Sequence, residues 1–278
     1  MGLRINTNVA SLNGQRNLRG TNNDMRKAME RLSSGYRINK AGDDAAGLAI
    51  SENLKAQIRG YYQDIRNAED GISLVQVAEG GLNETSAILT RLRELGIQAS
   101  SDTIGEQERS FVNVEYTSLL EEIERISSAT EFNRTKLLNG TGKMFDIQVG
   151  IRNNQLVDRI TFDGTKANAT TEALGLAGMT IAGKKDAQMG LAKIDDAIQK
   201  ISAARADFGA LQNRLQSTIN NLGISVENLS AANSRIRDAD MATETAEMSR
   251  NNIMLNAGIA VLAQANSSNG MALKLLQT

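Results

Sequence analysis

The chain has 278 residues, 41% hydrophobic and 23% charged, with a formal charge of −1 and no histidine, cysteine, proline or tryptophan. Without histidine and cysteine, zinc sites built on those residues, thiol chemistry and Ser-His-Asp catalysis are excluded, and without a cluster of Lys and Arg nucleic-acid binding is not expected. Because proline is the commonest helix breaker, its absence favours long helices, and 3% aromatic residues favour aliphatic packing seams.

The first predicted helix runs from Leu3 to Leu32 and carries the apolar residues Ile5, Val9 and Leu12 at helical spacing. The run Gly20-Thr21-Asn22-Asn23 contains poor helix formers, so we expect this segment to need a partner for full order. Ser33-Ser34-Gly35 predicts its end, and Asp43 or Asp44 can cap the helix that follows.

A very long amphipathic helix is predicted from Ala45 to about Ile97. Apolar residues recur in steps of three and four, from Ile50 and Leu54 through Leu89 and Leu92, as they do on one stripe of a helix. Such a helix is about 80 Å long, more than a compact domain needs. The sequence therefore predicts a rod whose seam is covered by partner helices.

The next segments fold back along this helix. Glu106 to Ala129 predicts a third, antiparallel helix. The apolar period then changes to two, with alternating segments around Ile147 and Ile160 and a predicted turn at Asn153-Asn154, as in a β-hairpin. Gly164 to Lys185 has no clear period and is expected to form a loop.

A second long helix is predicted from Ala187 to about Ile236, matched in length to the first, and a final helix follows Asp240. The apolar seams of the two terminal helices are expected to stay partly exposed unless neighbouring molecules cover them. The assembly seam residues are Ile5, Val9, Leu12, Met248, Leu255, Ile259, Leu262, Leu273 and Leu276.

The fold class expected from this pattern is mainly α: a rod-like bundle of long antiparallel helices with a small β-hairpin and terminal helices that form a coiled coil. Four segments are predicted. Residues 1–44 and 238–278 form the N- and C-terminal core segments, residues 45–185 form two helices, the hairpin and a tip loop, and residues 186–237 form the second long helix.

Short motifs at both ends resemble those of bacterial flagellins, and they occur in the family's order over nearly the whole chain. They are Ile5-Asn6-Thr7-Asn8, Arg31-Leu32-Ser33-Ser34-Gly35, Arg37-Ile38-Asn39, Asp43-Asp44-Ala45-Ala46-Gly47, Asp70-Gly71-Ile72-Ser73, Ser234-Arg235-Ile236, Asp238-Ala239-Asp240 and Val261-Leu262-Ala263-Gln264-Ala265-Asn266.

This resemblance implies a structural subunit that polymerises with itself into the flagellar filament for swimming motility. It implies terminal helices paired inside the filament and long helices around them, here without large outer domains. The implied location is the flagellum outside the cell, reached without a cleaved signal peptide. Further implied partners are the flagellar export apparatus, an export chaperone, and hook-associated and cap proteins.

A charged stretch on the long helix resembles the flagellin surface that a Toll-like innate immune receptor recognises, with Arg91, Leu95 and Glu115 at matching positions. Within a filament the same patch is expected to contact other subunits. The alternative from the residues alone is that Leu92 belongs to the seam and the charges form a solvated face. The patch comprises Arg91, Leu92, Arg93, Glu94, Leu95 and Glu115.

The polar junction before the long helix is interpreted as an assembly junction. Asp43 and Asp44 could be mistaken for an acid-base pair, but two carboxylates at the start of a helix are typical of capping. The junction comprises Arg31, Leu32, Ser33, Ser34, Gly35, Arg37, Asn39, Asp43 and Asp44.

No cofactor, metal or membrane span is expected, and the chain is not expected to be an enzyme. Gly178 to Lys184 has the glycine spacing of a phosphate-binding loop, but Lys185 stands where Ser or Thr is needed. Two other functions stay open on the sequence: a hook-filament junction protein, which shares the terminal motifs, and a soluble helical adaptor that binds partners through its unfinished seams.

Overall fold

The computed structural model of the protein describes residues 7–141 and 143–275, with side chains of the last helix described up to residue 267. Two predicted seam residues, Ile5 and Leu276, lie outside the described residues, and so does the side chain of Leu273. The described part is mainly helical, with two small antiparallel strand pairs. The elements are α1 (Val9–Ser34), α2 (Ala45–Ala99), α3 (Glu106–Ala129), β1 (Glu131–Phe132), β2 (Thr135–Lys136), β3 (Met144–Gln148), β4 (Arg159–Asp163), α4 (Thr171–Leu174), α5 (Lys184–Arg237) and α6 (Met241–Leu275).

Helix α1 begins and ends with capping interactions. The side chain of Asn8 accepts a hydrogen bond from the amide of Ser11, which satisfies a free donor of the first turn. Gly35 ends the helix in the left-handed conformation with φ 72°, and its amide donates to Arg31 O. The helix is continuous through Gly20-Thr21-Asn22-Asn23, and the predicted end at Ser33-Ser34-Gly35 is confirmed.

The main core lies where α2, α3 and α5 pack together. Helix α3 runs antiparallel to α2, and the turn between them is held by the buried guanidinium of Arg109, which donates to Ala99 O, Ser101 O and Ile104 O. Helix α5 also runs antiparallel to α2, since Leu191 reaches Gly96 and Lys184 pairs with Asp102. The core is built from the aliphatic seams expected from the sequence. Among its members are Leu82, Leu89, Leu92, Tyr116, Ile123, Ile194, Phe208 and Leu215.

The predicted hairpin is present, with β3 and β4 paired antiparallel so that Phe145 lies opposite Phe162 and Ile147 opposite Ile160. Asn153-Asn154 lie between the two strands as predicted, but they do not form the turn alone. The ladder ends at Gln148 and Arg159, and a loop of residues 149–158 connects the strands. At the base of the loop the amide of Val149 donates to Asp158 O at 2.8 Å, and within the loop the Asp158 carboxylate accepts from the amide of Asn154.

The hairpin rests on glycines of α2. A Cβ built at Gly60 would stand 2.6 Å from Ile151 Cγ2, and one at Gly71 would stand 2.6 Å from Ile147 Cδ1. Residues 10 or 11 positions apart lie on the same side of an α-helix, three turns from each other. Glycine at these positions therefore lets the hairpin side chains reach the helix backbone.

The segment after the hairpin differs from the expected loop. Residues Gly164–Ala167 form a 3₁₀ turn and Thr171–Leu174 form the short helix α4. Leu174, Leu176 and Ile181 are buried in the main core, although the apolar residues of this segment follow neither a helical nor a strand period. Helix α5 then begins at Lys184, slightly earlier than predicted.

The chain folds into two compact units. One contains residues up to Ala56 and from Asn228 onward, and the other is Gln57–Glu227. The first unit holds the pairing of α1 with α6, and the second holds the main core and the hairpin. Over the described ranges, none of the helices has the length and apolar character needed to cross a membrane.

Candidate assembly and recognition surfaces

The two terminal helices pack along each other. Gly14 of α1 faces Leu262, and Gly258 of α6 faces Leu18, so each helix offers a glycine to a leucine of the other. Asn8 Nδ2 donates to Ala265 O at 3.0 Å. Because glycine has no Cβ, these two positions allow the helices to approach each other closely.

The predicted seam residues of these helices divide between two faces. Met248, Leu255 and Leu262, spaced by seven, are half-buried, whereas Val9, Leu12 and Ile259 are exposed. The prediction assumed one seam per helix and did not place in it three further exposed apolar residues of α6. These are Ile253, Met254 and Val261. The helix pair thus retains a large apolar surface outside its own interface.

The predicted junction is a network that joins the α1–α2 loop to the α5–α6 connection. The amide of Arg37 donates to Arg237 O at 2.7 Å, its guanidinium donates to Ile236 O at 2.8 Å, and the amide of Ala239 donates to Gly35 O at 2.9 Å. Tyr36 lies under the guanidinium of Arg237, 4.8 Å from its ring centroid. The segments before α2 and after α5 are therefore fixed to each other by backbone and side-chain contacts.

A charge pair connects α1 to α6 at this junction. Arg31 Nη1 lies 2.9 Å from Glu244 Oε1, and the Glu244 side chain is buried. Its second oxygen, Oε2, is buried without a hydrogen-bond partner among the described residues. A buried carboxylate is strongly destabilising when its cation is removed. The ion pair with Arg31 therefore stabilises the packing of α1 against α6.

The two aspartates of the junction cap backbone amides. Asp43 Oδ2 accepts from the amides of Lys40 and Asn39, at 3.1 and 3.2 Å, and these hydrogen bonds lower the pKa of the Asp43 carboxyl. Asp44 Oδ1 accepts from the amide of Gly47 at 2.9 Å and caps α2. Both carboxylates are thus engaged in local backbone structure.

The remaining junction residues lie around this network. Leu32 is half-buried, Ser33 and Ser34 are exposed, and the side chain of Asn39 donates to Tyr36 O. The predicted junction left out Ile38 of the motif Arg37-Ile38-Asn39, although Ile38 is fully buried and lies against the position where Gly47 lacks a Cβ. It also missed Tyr36, Arg237 and Glu244, for which only their position next to the quoted motifs was a signal.

The charged patch divides into surface and core. Arg91 is exposed and pairs with Glu94 at 3.0 Å and with Glu115 of α3 at 2.8 Å. Arg93 pairs with Asp195 of α5 at 2.7 Å, a partner that the sequence did not reveal. Leu92 and Leu95 are fully buried and belong to the core, so the accessible patch consists of the charged side chains.

Comparisons with known proteins match both terminal regions of the chain to one family. Residues 5–143 match the family model described as the bacterial flagellin N-terminal helical region, and residues 191–276 match the bacterial flagellin C-terminal helical region. The chain is 48% identical over 273 residues to flagellin of Halalkalibacterium halodurans, covering 98% of this chain and 99% of that protein. It is 43% identical over 307 residues to flagellin of Bacillus subtilis, covering 99% and 100%.

A flagellar filament 31.3 kDa core protein of Treponema maltophilum is 41% identical over 290 residues, covering 98% of this chain and 99% of that protein. Among solved structures, Bacillus cereus flagellin is similar with a TM-score of 0.50 and 32% identity over 60% of this chain and 94% of that chain. A putative flagellar hook-associated protein from Vibrio parahaemolyticus has a TM-score of 0.59 at 16% identity, over 70% of this chain and all of that one. At that identity the likeness concerns the fold alone.

Proposed function

The chain belongs to the bacterial flagellin family, and on that premise we propose that it is a structural subunit that polymerises into the extracellular flagellar filament used for swimming. Flagellins are structural proteins and not enzymes. The observation that carries the proposal is the apolar surface that the pair of α1 and α6 leaves exposed, from Val9 and Leu12 on one helix to Ile259 and Val261 on the other. Apolar surfaces of this extent are typical of protein interfaces.

In this proposal copies of the terminal helix pair form the core of the filament by packing their exposed apolar faces together. Contacts between different faces of identical subunits generate open helical polymers when the rotation between neighbouring copies does not close into a ring. The junction around Arg31, Gly35, Asp43 and Asp44 sets the helix ends that enter this core. Its capping interactions and its buried pair with Glu244 support that role.

Electron microscopy of purified protein after adding short filament seeds tests this function. The full chain is expected to elongate the seeds, whereas a variant lacking Leu3 to Leu32 and Met241 to Leu276 is expected not to. Elongation by both proteins would contradict assembly through the terminal helices. If the full chain does not elongate seeds, a hook-filament junction protein or a soluble helical adaptor becomes the better interpretation.

We also propose that the patch around Arg91 contacts other subunits and is recognised by a Toll-like receptor of a host. Support comes from the exposed triad of Arg91, Glu94 and Glu115, which two ion pairs hold in place. Arg91→Ala is expected to weaken both seeded polymerisation and receptor activation in reporter cells. Thr90→Ala, next to it on the same helix, serves as a control. Unchanged behaviour of Arg91→Ala in both assays would overturn this role.

Family membership further supports export through the flagellar secretion apparatus without a cleaved signal peptide, with the help of an export chaperone. It also supports hook-associated and cap proteins as partners. Mass spectrometry of filaments tests the export route. The N-terminal residues of the chain are expected to be present in the secreted protein. Loss of an N-terminal peptide by cleavage would contradict it.

A further inference from the structure

The loop between β3 and β4 exposes two large apolar side chains at its end. Leu156 is 89% and Val157 is 73% exposed, although Leu and Val are among the residues most often buried in folded proteins. The exposed side chain of Arg152 lies in the same loop. We call Arg152, Leu156 and Val157 the loop tip.

Hydrogen bonds within the loop hold this tip in a fixed shape. Asn154 Oδ1 accepts from the amide of Leu156 at 3.1 Å, and Asp158 Oδ2 accepts from the amide of Asn154 at 2.8 Å. Arg159 Nη2 donates to Asn153 Oδ1 at 2.7 Å. A surface that is ordered before it binds loses less conformational entropy on binding. The tip is therefore built as a projection with a defined apolar end.

A surface with the complementary character lies on α3. Phe111 and Val114 are 66% and 63% exposed and lie within one turn of each other. Three acidic residues on the same side of the helix surround them, Glu108, Glu115 and Glu121, all of them exposed. We call these five residues the α3 face.

We propose that the loop tip of one copy packs on the α3 face of a second copy, with Leu156 and Val157 against Phe111 and Val114. This inference rests on the proposed function and names two surfaces that join in the polymer. The positive charge of Arg152 meets the negative charge of the α3 face, which favours this pairing over tip against tip or face against face.

The positions of the two surfaces on one molecule require different copies. Ile151, within the loop, rests on Gly60 of α2. Glu115 of the α3 face pairs with Arg91, which also belongs to α2. Between these two points α2 rises by on the order of 50 Å, which a loop cannot span. The contact is thus head-to-tail, the kind of contact that can repeat from copy to copy in an open polymer.

Cysteine cross-linking tests the contact directly, because the chain has no cysteine of its own. Leu156→Cys and Val114→Cys proteins are mixed, polymerised on seeds and oxidised. Disulfide-linked dimers are expected in filaments at about tenfold or more over the unpolymerised mixture. A mixture of Leu156→Cys and Met144→Cys is the control, since Met144 is as exposed as Val114.

Filaments of normal yield without the 156–114 cross-link would overturn this inference and leave the proposed function intact. Failure of the unmodified chain to polymerise would instead overturn the proposed function. The two failures are therefore distinguishable in one experiment.

A charge-reversal series gives a second test. Arg152→Glu and the double variant Leu156→Ser with Val157→Ser are expected to raise the protein concentration needed for seeded growth by about tenfold. Their thermal unfolding should stay unchanged because these side chains are exposed. Glu121→Arg is expected to restore growth of Arg152→Glu. Growth of either tip variant at the concentration of the unmodified chain would overturn the contact.

Discussion

Gly81 of α2 lies directly against Leu138: a Cβ at position 81 would stand 2.7 Å from Leu138 Cδ1 and 2.7 Å from Thr130 Oγ1. Leu138 is fully buried, and Thr130 Oγ1 donates to Ile126 O, so neither side chain can withdraw easily. At the neighbouring Gly80, a Cβ would have no contacting atom within 4 Å. These neighbours form a natural matched pair.

Gly81→Ala is expected to lower the free energy of unfolding by about 1–2 kcal/mol, because overpacking outweighs the gain in helix propensity. Gly80→Ala is expected to raise it by up to about 1 kcal/mol, because only helix propensity changes. Urea denaturation followed by circular dichroism measures both. Equal shifts in the same direction would refute the close packing at Gly81.

Arg109→Met is expected to destabilise the turn between α2 and α3. The guanidinium is buried and donates to three backbone carbonyls, and the variant leaves these acceptors without a donor, at a cost of about 2–4 kcal/mol. Arg125→Met is the control, because Arg125 forms an exposed ion pair with Glu122, and little change is expected. Thermal unfolding compares the two. A loss for Arg125→Met as large as that for Arg109→Met would contradict the role of the buried guanidinium.

Tyr116 makes stability depend on pH in the alkaline range. Burial raises the pKa of its hydroxyl from 10.0 to about 12, and the hydroxyl has no partner within the described structure. The folded protein therefore keeps this proton at a pH where the unfolded chain releases it. Below pH 10 this group adds no dependence on pH, and stability falls as the pH rises from 10 towards 12.

Tyr116→Phe is expected to remove this component, which amounts to about 1 kcal/mol between pH 9 and 11. At neutral pH the variant should be as stable as the unmodified chain or slightly more so, since it removes an unpaired buried polar group. Urea denaturation of both proteins at pH 7, 9 and 11 measures the difference. Identical pH profiles would show that Tyr116 does not titrate in this way.

Arg31→Met is expected to loosen the pairing of α1 with α6, because it leaves the buried carboxylate of Glu244 without its cation. The expected cost is about 2–3 kcal/mol, and the double variant Arg31→Met with Glu244→Met should regain most of it. Hydrogen exchange of the α1 and α6 amides is the direct measurement. Lys40→Met, which breaks only the exposed pair with Glu30, should leave that exchange unchanged. If the double variant exchanges as fast as the single one, the pair has no special role.

The long helices and the hairpin could be predicted because each repeats one period over many residues. Helix α2 was expected from Ala45 to about Ile97 and extends to Ala99, and α3 has the expected bounds. The burial of Leu174, Leu176 and Ile181 could not be predicted, since isolated apolar residues in a Gly-rich stretch carry no period. Their environment is decided by tertiary contacts.

The candidate surfaces show the same limit. Sequence motifs indicated the junction, but they did not reveal that Arg31 pairs with Glu244 or Arg93 with Asp195, because these partners are distant in the chain. Periodicity placed Leu92 in the seam, and the structure buries it there. Helix α1 is continuous through Gly20, where local propensity alone predicted a weak point.

The hydrogen bond from Asn8 to Ala265 joins positions 257 residues apart. Such a contact needs both ends of a very long loop, and closing that loop costs conformational entropy, so the contact cannot form before Ala265 is part of the chain. The pairing of α1 with α6 therefore waits for the last helix to emerge. Until then a growing or partly delivered chain lacks the paired surface on which the proposed polymerisation depends. The order of the helices along the chain thus delays association until α6 is available to pair with α1.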